Sequence, residues 1–260
     1  MLNNIKSFYY LKLLLSHLDE KKQLELIIYN NALKNILDIK LINYKIMSGK
    51  YIINEDNNII KEYNGYNDKL IYEGEFFKGK RNGKGKEYEN CKLIFEGEYL
   101  KGKKWDGIGY DYNKEIIYEL KGGKGFIKEY KEYYFNQKIK FEGELLNGEK
   151  NGRVKEYFTN SNIKFEGEYL NGKKHGKGKE YFINGNALFN GYYRYGKMWN
   201  GKIYEHNNNL LYELREGKGF IKEFDNVDFR VIYEGEYLNG ERNGKGKEYN
   251  KFDDILFEGE

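Results

Sequence analysis

Between residues 72 and 260 apolar and charged positions alternate one by one, in short runs punctuated by glycine, whereas residues 1 to 49 place apolar positions three and four apart. The first pattern is that of half-buried β-strands, the second that of helices. In the run that opens at Tyr72, Tyr72, Gly74 and Phe76 share one face and Glu73, Glu75 and Phe77 the other. The returning run alternates Lys84, Lys86 and Tyr88 with Gly85 and Glu87, which sets lysine opposite glutamate. Gly79 and Gly83 suit turn positions with positive φ, and Gly74 and Gly85 leave room for a neighbouring ring. Strand, turn, strand is the predicted unit.

The unit recurs. An aromatic-Glu-Gly-Glu tetrad begins at Tyr72, Phe95, Phe141, Phe165, Tyr233 and Phe257, with degenerate copies at Tyr118, Phe189 and Tyr212. Successive starts lie 23, 23, 23, 24, 24, 23, 21 and 24 residues apart. Eight repeats therefore occupy residues 72 to 256, and a ninth starts at Phe257 and stops after four residues. A longer period overlies this one: Trp105 and Trp199, and likewise Tyr118 and Tyr212, are 94 residues apart, and the copies YELKGGKGFIKEY and YELREGKGFIKEF have their turns shortened in the same place. A four-repeat block, Tyr72 to Lys164, is thus duplicated as Phe165 to Leu256. One hairpin cannot stabilise itself, but stacked hairpins cover one another's aromatic faces. Sixteen strands at about 4.8 Å would make a ribbon on the order of 75 Å long.

A tetrad followed by Asn-Gly, two charged residues and Gly-Lys-Gly, as in FEGEYLNGKKHGKGKEY from Phe165, resembles the MORN repeat, the membrane occupation and recognition nexus motif. Over residues 72 to 260 the resemblance implies an elongated array of antiparallel β-hairpins used for protein interaction or scaffolding, and in some relatives for binding acidic phospholipids. The copies at Tyr118 and Tyr212 lack the Gly-Glu core, so contacts there are expected to differ. The expected fold is mostly β, a MORN-type hairpin array carrying a small N-terminal helical head.

In the head, residues 1–49, Ile5, Phe8, Leu11, Leu15 and Leu18 form one stripe, Asp19 can cap a second helix, and Gly49 can end a short third. The run from Leu13 to Leu37 resembles the core of an F-box. That resemblance implies docking on a Skp-family linker protein of ubiquitin ligases, with Leu15 and Leu18 on the docking face; the family's Leu-Pro opening is missing from a chain without proline. The other reading is a helical cap that closes the open edge of the sheet. Residues 50–71 repeat the Lys-Glu-Tyr triplet at Lys61 to Tyr63 and read as a degenerate first hairpin.

Composition narrows the chemistry. One Thr, four Ser, three His and one Cys leave few nucleophiles or bases, which disfavours an enzyme. The single Cys91 excludes an intramolecular disulfide and fits a cytoplasmic location. The longest apolar runs, such as Leu13 to Leu15 and Leu26 to Tyr29, are too short for a transmembrane segment. The net charge of +4 resides in residues 1 to 50, and the remaining 37 bases and 37 acids balance, so no nucleic-acid stripe shows as net charge. No cofactor or metal is expected: Gly74 to Lys80 has phosphate-loop spacing but Arg81 follows it, and His17, His175 and His206 lack companion ligands.

Two sets of candidate binding residues emerge. The pairs Lys84 with Lys86, Lys177 with Lys179 and Lys245 with Lys247 could meet acidic phospholipid headgroups, or could pair with glutamate across strands. Trp105 and Trp199 are candidate partner anchors, or pack against a hairpin. The expected function is non-enzymatic: a repeat rod that binds a protein partner, with the head as an F-box-like adaptor. The alternative is a scaffold peripheral to an acidic membrane surface.

Overall fold

The computed structural model describes residues 49–54, 59–133 and 136–260, so the proposed head, with Leu15 and Leu18, lies outside the described residues. Within them every regular element is a β-strand. Residues 50–71 do contain a hairpin, β1 (Lys50–Asn54) and β2 (Ile59–Asn64). It leads into β3 (Leu70–Phe77), β4 (Lys80–Glu89), β5 (Lys92–Leu100), β6 (Lys103–Tyr110) and β7 (Ile116–Leu120), which complete a first sheet of seven strands in chain order. The second sheet holds eight: β8 (Gly125–Tyr133), β9 (Asn136–Leu146), β10 (Glu149–Tyr157), β11 (Ile163–Leu170), β12 (Lys173–Tyr181), β13 (Ala187–Arg194), β14 (Lys197–Tyr204) and β15 (Leu210–Leu214). The third holds β16 (Gly219–Phe224), β17 (Val231–Leu238), β18 (Glu241–Tyr249) and β19 (Ile255–Gly259).

Each full repeat is a hairpin closed by two residues. Lys78 and Gly79 have φ of 49° and 72°, Asn171 and Gly172 49° and 76°, and Asn239 and Gly240 56° and 72°. Two positive values in succession are the signature of a type I′ turn, whose twist matches that of the flanking strands. The next glycine, Gly83 in the first repeat, also has positive φ, 91°, and absorbs a register shift between β3 and β4.

One face of each sheet is the core. The tetrad's aromatic ring lies flat across glycines of its own and the next strand: a Cβ on Gly85 would stand 2.2 Å from the Tyr72 hydroxyl, and one on Gly178 2.9 Å from the Phe165 ring. Tyr72, Phe95, Phe165 and Phe189 are fully buried as a result, each contributing roughly 1.5–3 kcal/mol. Neighbouring rings meet edge to face, Tyr72 with Tyr99 at 5.1 Å and Phe165 with Tyr193 at 5.7 Å.

The charged residue two places after each turn folds inward over these rings. The Arg81 guanidinium sits 4.3 Å from the Tyr72 centroid, Lys150 4.2 Å from Phe141, Lys174 4.4 Å from Phe165 and Arg242 4.2 Å from Tyr233. Each also pairs with the glutamate of the Lys-Glu-Tyr triplet: Arg81 with Glu87 at 3.0 Å, and Lys150 with Glu156, Lys174 with Glu180 and Arg242 with Glu248 likewise. Burial alone would raise Glu87, yet Lys104 and Arg81 hold it below the ordinary carboxylate range.

The single continuous ribbon expected from the repeat count is corrected: β3 to β18 divide among three sheets. The breaks fall at the two shortened copies, which are four residues shorter than a full hairpin. There the backbone pairing between β7 and β8 is reduced to an isolated bridge between Lys121 and Lys124 at the turn, and that between β15 and β16 to one between Arg215 and Lys218. The short turn still joins the stack of turns along one edge, Gly123 N–H donating to the Trp105 carbonyl at 2.8 Å and Gly148 N–H to the Gly123 carbonyl at 2.9 Å. Too little strand remains to pair on both sides. Gly217 repeats these bonds with Trp199 and Gly240.

Candidate binding trough on the second sheet

The outward faces carry the tetrad glutamates and the lysines that the sequence singles out. On this face the first tetrad glutamate accepts a hydrogen bond from the triplet tyrosine: Tyr88 donates to Glu73 at 2.6 Å, Tyr157 to Glu142 at 2.6 Å and Tyr249 to Glu234 at 2.7 Å, and Tyr181 binds Glu166 in the same way. Burial, then the bonded carboxylate, pushes the Tyr88 hydroxyl up from its ordinary value. The second tetrad glutamate turns back to the turn backbone, Glu75 accepting from Lys84 N–H at 3.2 Å and Glu236 from Lys245 N–H at 3.0 Å. Glu168 folds over Gly176 in the same manner, where a Cβ would come within 2.1 Å of its carboxylate. Local bonds thus absorb most of the outward carboxylates.

In the first sheet a third strand sets carboxylates beside the lysines: Lys86 pairs with Glu96 at 3.2 Å, and Lys84 stands in register with Glu98. In the third, Lys247 pairs with Glu258 at 3.0 Å, and Lys245 and Lys247 line a cleft of about 250 Å3 with Glu234, Glu258 and Glu260. The second sheet differs, because β13 belongs to the degenerate copy FNGY. Lys179 faces Asn190 and Lys177 faces Tyr192. On β10, Arg153 and Lys155 stand in register with Glu168 and Glu166, whose carboxylates are engaged as described.

A trough of about 790 Å3 runs across this face. Its floor is the backbone of Val154, Gly167, Gly178 and Gly191, its cations are Arg153, Lys155, Lys177 and Lys179, and Phe126 and Tyr192 stand at opposite ends. All four cations are exposed, and among the described residues none makes an ion pair within 4.0 Å. Lys177 instead leans toward Tyr192, 5.9 Å from its ring centroid. Phe126 is 55% and Tyr192 48% exposed.

The candidate lysines therefore lie on the outward faces of three different sheets, and the structure brings only Lys177 and Lys179 together with further free cations. Trp105 and Trp199 are half-buried at the sheet breaks, their rings 2.9 Å from where a Cβ on Gly123 or Gly217 would be, and Arg194 stacks 4.7 Å from the Trp199 ring. They pack on the short turn that follows, and the trough does not include them. Asn190, Tyr192, Phe126, Arg153 and Lys155 are residues that sequence reading passed over. The signal was present: a charge count taken face by face would have shown the degenerate copy at Phe189 losing two carboxylates.

Comparison with known families is informative for the repeats. Three segments match the MORN repeat: residues 72–90, 165–187 and 233–250. The MORN matches coincide with β3 to β4, β11 to β12 and β17 to β18, the hairpins that carry both the Gly-Glu core and the returning run Gly-Lys-Gly-Lys-Glu-Tyr. No curated protein matches the chain. Among solved structures, a crystal structure of an S. aureus TarM mutant in complex with Fondaparinux, alpha-GlcNAc-glycerol and UDP is similar at 12% identity, over 56% of this chain and 23% of that one, with a TM-score of 0.22. A likeness of that extent bears on neither fold nor function. Among the described residues no helix is long and apolar enough to cross a membrane. MORN repeats are associated with binding to proteins or membrane lipids.

Proposed function

We propose that this chain is a non-enzymatic interaction protein whose repeat sheets present their outward faces to a protein partner, the trough of the second sheet being the contact. The supporting observation is the pairing of exposed rings with free cations around a backbone floor, on a face where the other two sheets pair Lys86 with Glu96 and Lys247 with Glu258. Tyrosine and arginine, here Tyr192 and Arg153, are among the residues enriched at interface hot spots. A photo-crosslinking residue placed at Tyr192 of the full chain should trap protein in cells, and the same residue at Phe77, on the outward face of the first sheet, should trap far less. Lipid adducts at Tyr192 without protein adducts would favour the peripheral scaffold. Equal trapping at both positions would refute a dedicated face.

In this reading the head brings trough-bound partners to a ubiquitin ligase, as the F-box resemblance implies, with Leu15 and Leu18 on its docking face. Full-length chain should bind a purified Skp-family linker protein and the L15D/L18D variant should not. Equal binding by the variant would remove that docking face, and no binding by the wild type would leave the head a cap.

A further inference from the structure

The geometry points to an extended acidic segment of a partner protein as the occupant of the trough. This rests on the protein-binding reading above and specifies the partner's chemistry. Charge comes first. The trough gathers four cations and three carboxylates, Glu142, Glu166 and Glu168. Two of those carboxylates accept tyrosine hydroxyls and the third lies over Gly176, so all three are held by local contacts while keeping their charge, and four cations against three carboxylates leave the trough a net charge of about +1. The cations have no such partners and point to solvent.

Dimensions come second. Phe126 is on β8 and Tyr192 on β13, five strand steps apart in the sheet order. At about 4.8 Å per step the rings stand roughly 24 Å apart, the reach of about seven extended residues. The pair on β10 and the pair on β12 are two steps, or about 10 Å, from one another. A single headgroup would engage one pair; only a chain laid across the strands meets both pairs and both rings. Between the pairs lies β11, where Gly167 backbone lets such a chain approach closely and Glu166 and Glu168 stand on either side of it, so acidic side chains would sit over β10 and β12.

The substitution that creates the site is visible by comparison with its copy. Where the first sheet has Glu96 and Glu98, the second has Asn190 and Tyr192. One change removes a neutralising carboxylate from beside Lys179; the other replaces a carboxylate with the ring that ends the trough. A preference for acidic side chains over β10 and β12 and apolar ones at the two ends follows.

The test uses the full chain and a fluorescein-labelled peptide of alternating glutamate and serine with a tryptophan at each end, nine residues in all. Binding by fluorescence anisotropy should weaken about tenfold or more in K177A/K179A and in N190E/Y192E, and should weaken with added salt. K84A/K86A should bind as the wild type does. All of these positions but the half-buried Lys86 are exposed, and an unchanged circular dichroism spectrum and Tm establish that each variant is folded. A peptide with lysine in place of glutamate should not bind. Failure of the acidic peptide to bind, or equal binding by all variants, would overturn the assignment. Binding to phosphatidylserine vesicles without binding to the peptide would overturn it in favour of lipid. Protein crosslinks at Tyr192 alongside peptide failure would keep the protein-binding reading and sink only its acidic specificity.

Discussion

The strands β3 to β6 and β11 to β14 are copies of one another, and they agree on one face and disagree on the other. Inward, the same rings lie over the same glycines, Tyr72 and Phe95 in one copy and Phe165 and Phe189 in the other, all fully buried. Outward, Glu96, Glu98, Asp106 and Ile108 become Asn190, Tyr192, Asn200 and Lys202. The first copy faces outward with two lysines against five carboxylates, the second with three lysines against two. Folding constrains the inward positions because a ring and a glycine must coincide; the outward ones are free to specialise. Even there a structural duty survives: Asp106 accepts from Gly122 N–H at 2.6 Å and Asn200 from Glu216 N–H at 2.6 Å, so that exchange discards the charge and keeps the bond.

The largest effects should come from the shared face. Phe95→Ala and Phe165→Ala should each cost about 3–5 kcal/mol in urea unfolding, because each opens a cavity over glycine backbone that cannot close. A large cost in one copy alone would break the equivalence. Next come the sheet breaks. Gly123 and Gly217 have φ of 69° and 68°, and a Cβ at either would meet a tryptophan ring at 2.9 Å. Gly123→Ala and Gly217→Ala should each cost about 1–3 kcal/mol, read as a drop in Tm.

A smaller effect is read by pH. Glu87 in the first is held below its ordinary range, against burial, by Lys104 and Arg81. In the window between its folded and unfolded pKa values the unfolded chain binds the extra proton, so the stabilisation is full above about pH 4.3 and is lost as pH falls through the lowered folded value. Unfolding at a series of acidic pH values should show a shallower decline for Glu87→Gln than for the wild type; an unchanged slope would contradict this. The smallest effect should follow exchange on the outward face: E96N/E98Y should shift stability by only about 0.5 kcal/mol.

The inward face was largely legible in the sequence and the outward one was not. Alternation placed Tyr72, Gly74 and Phe76 together, and glycine spacing located the hairpins, because both reflect local backbone rules. The residues 50–71 hairpin could be read from a single Lys-Glu-Tyr triplet. Two things escaped. The inward placement of Arg81, Lys150, Lys174 and Arg242 is one, since nothing local reveals that the register shift at the next glycine turns them over the rings. The sheet breaks escaped as well: the shortened turns at Tyr118 and Tyr212 were visible, but their consequence depends on turn stacking between repeats, a non-local contact. The trough needed both pieces, face and register, before its charges could be counted.

A binding face on the second sheet that its copy lacks should show in the reactivity of their lysines. Lysine acetylation rates in the wild-type chain, followed by mass spectrometry with and without the acidic peptide, address it directly. Lys155, Lys177 and Lys179 should be protected by the peptide while Lys84 and Lys86 react at unchanged rates. Equal protection of both sets, or protection of neither, would contradict it.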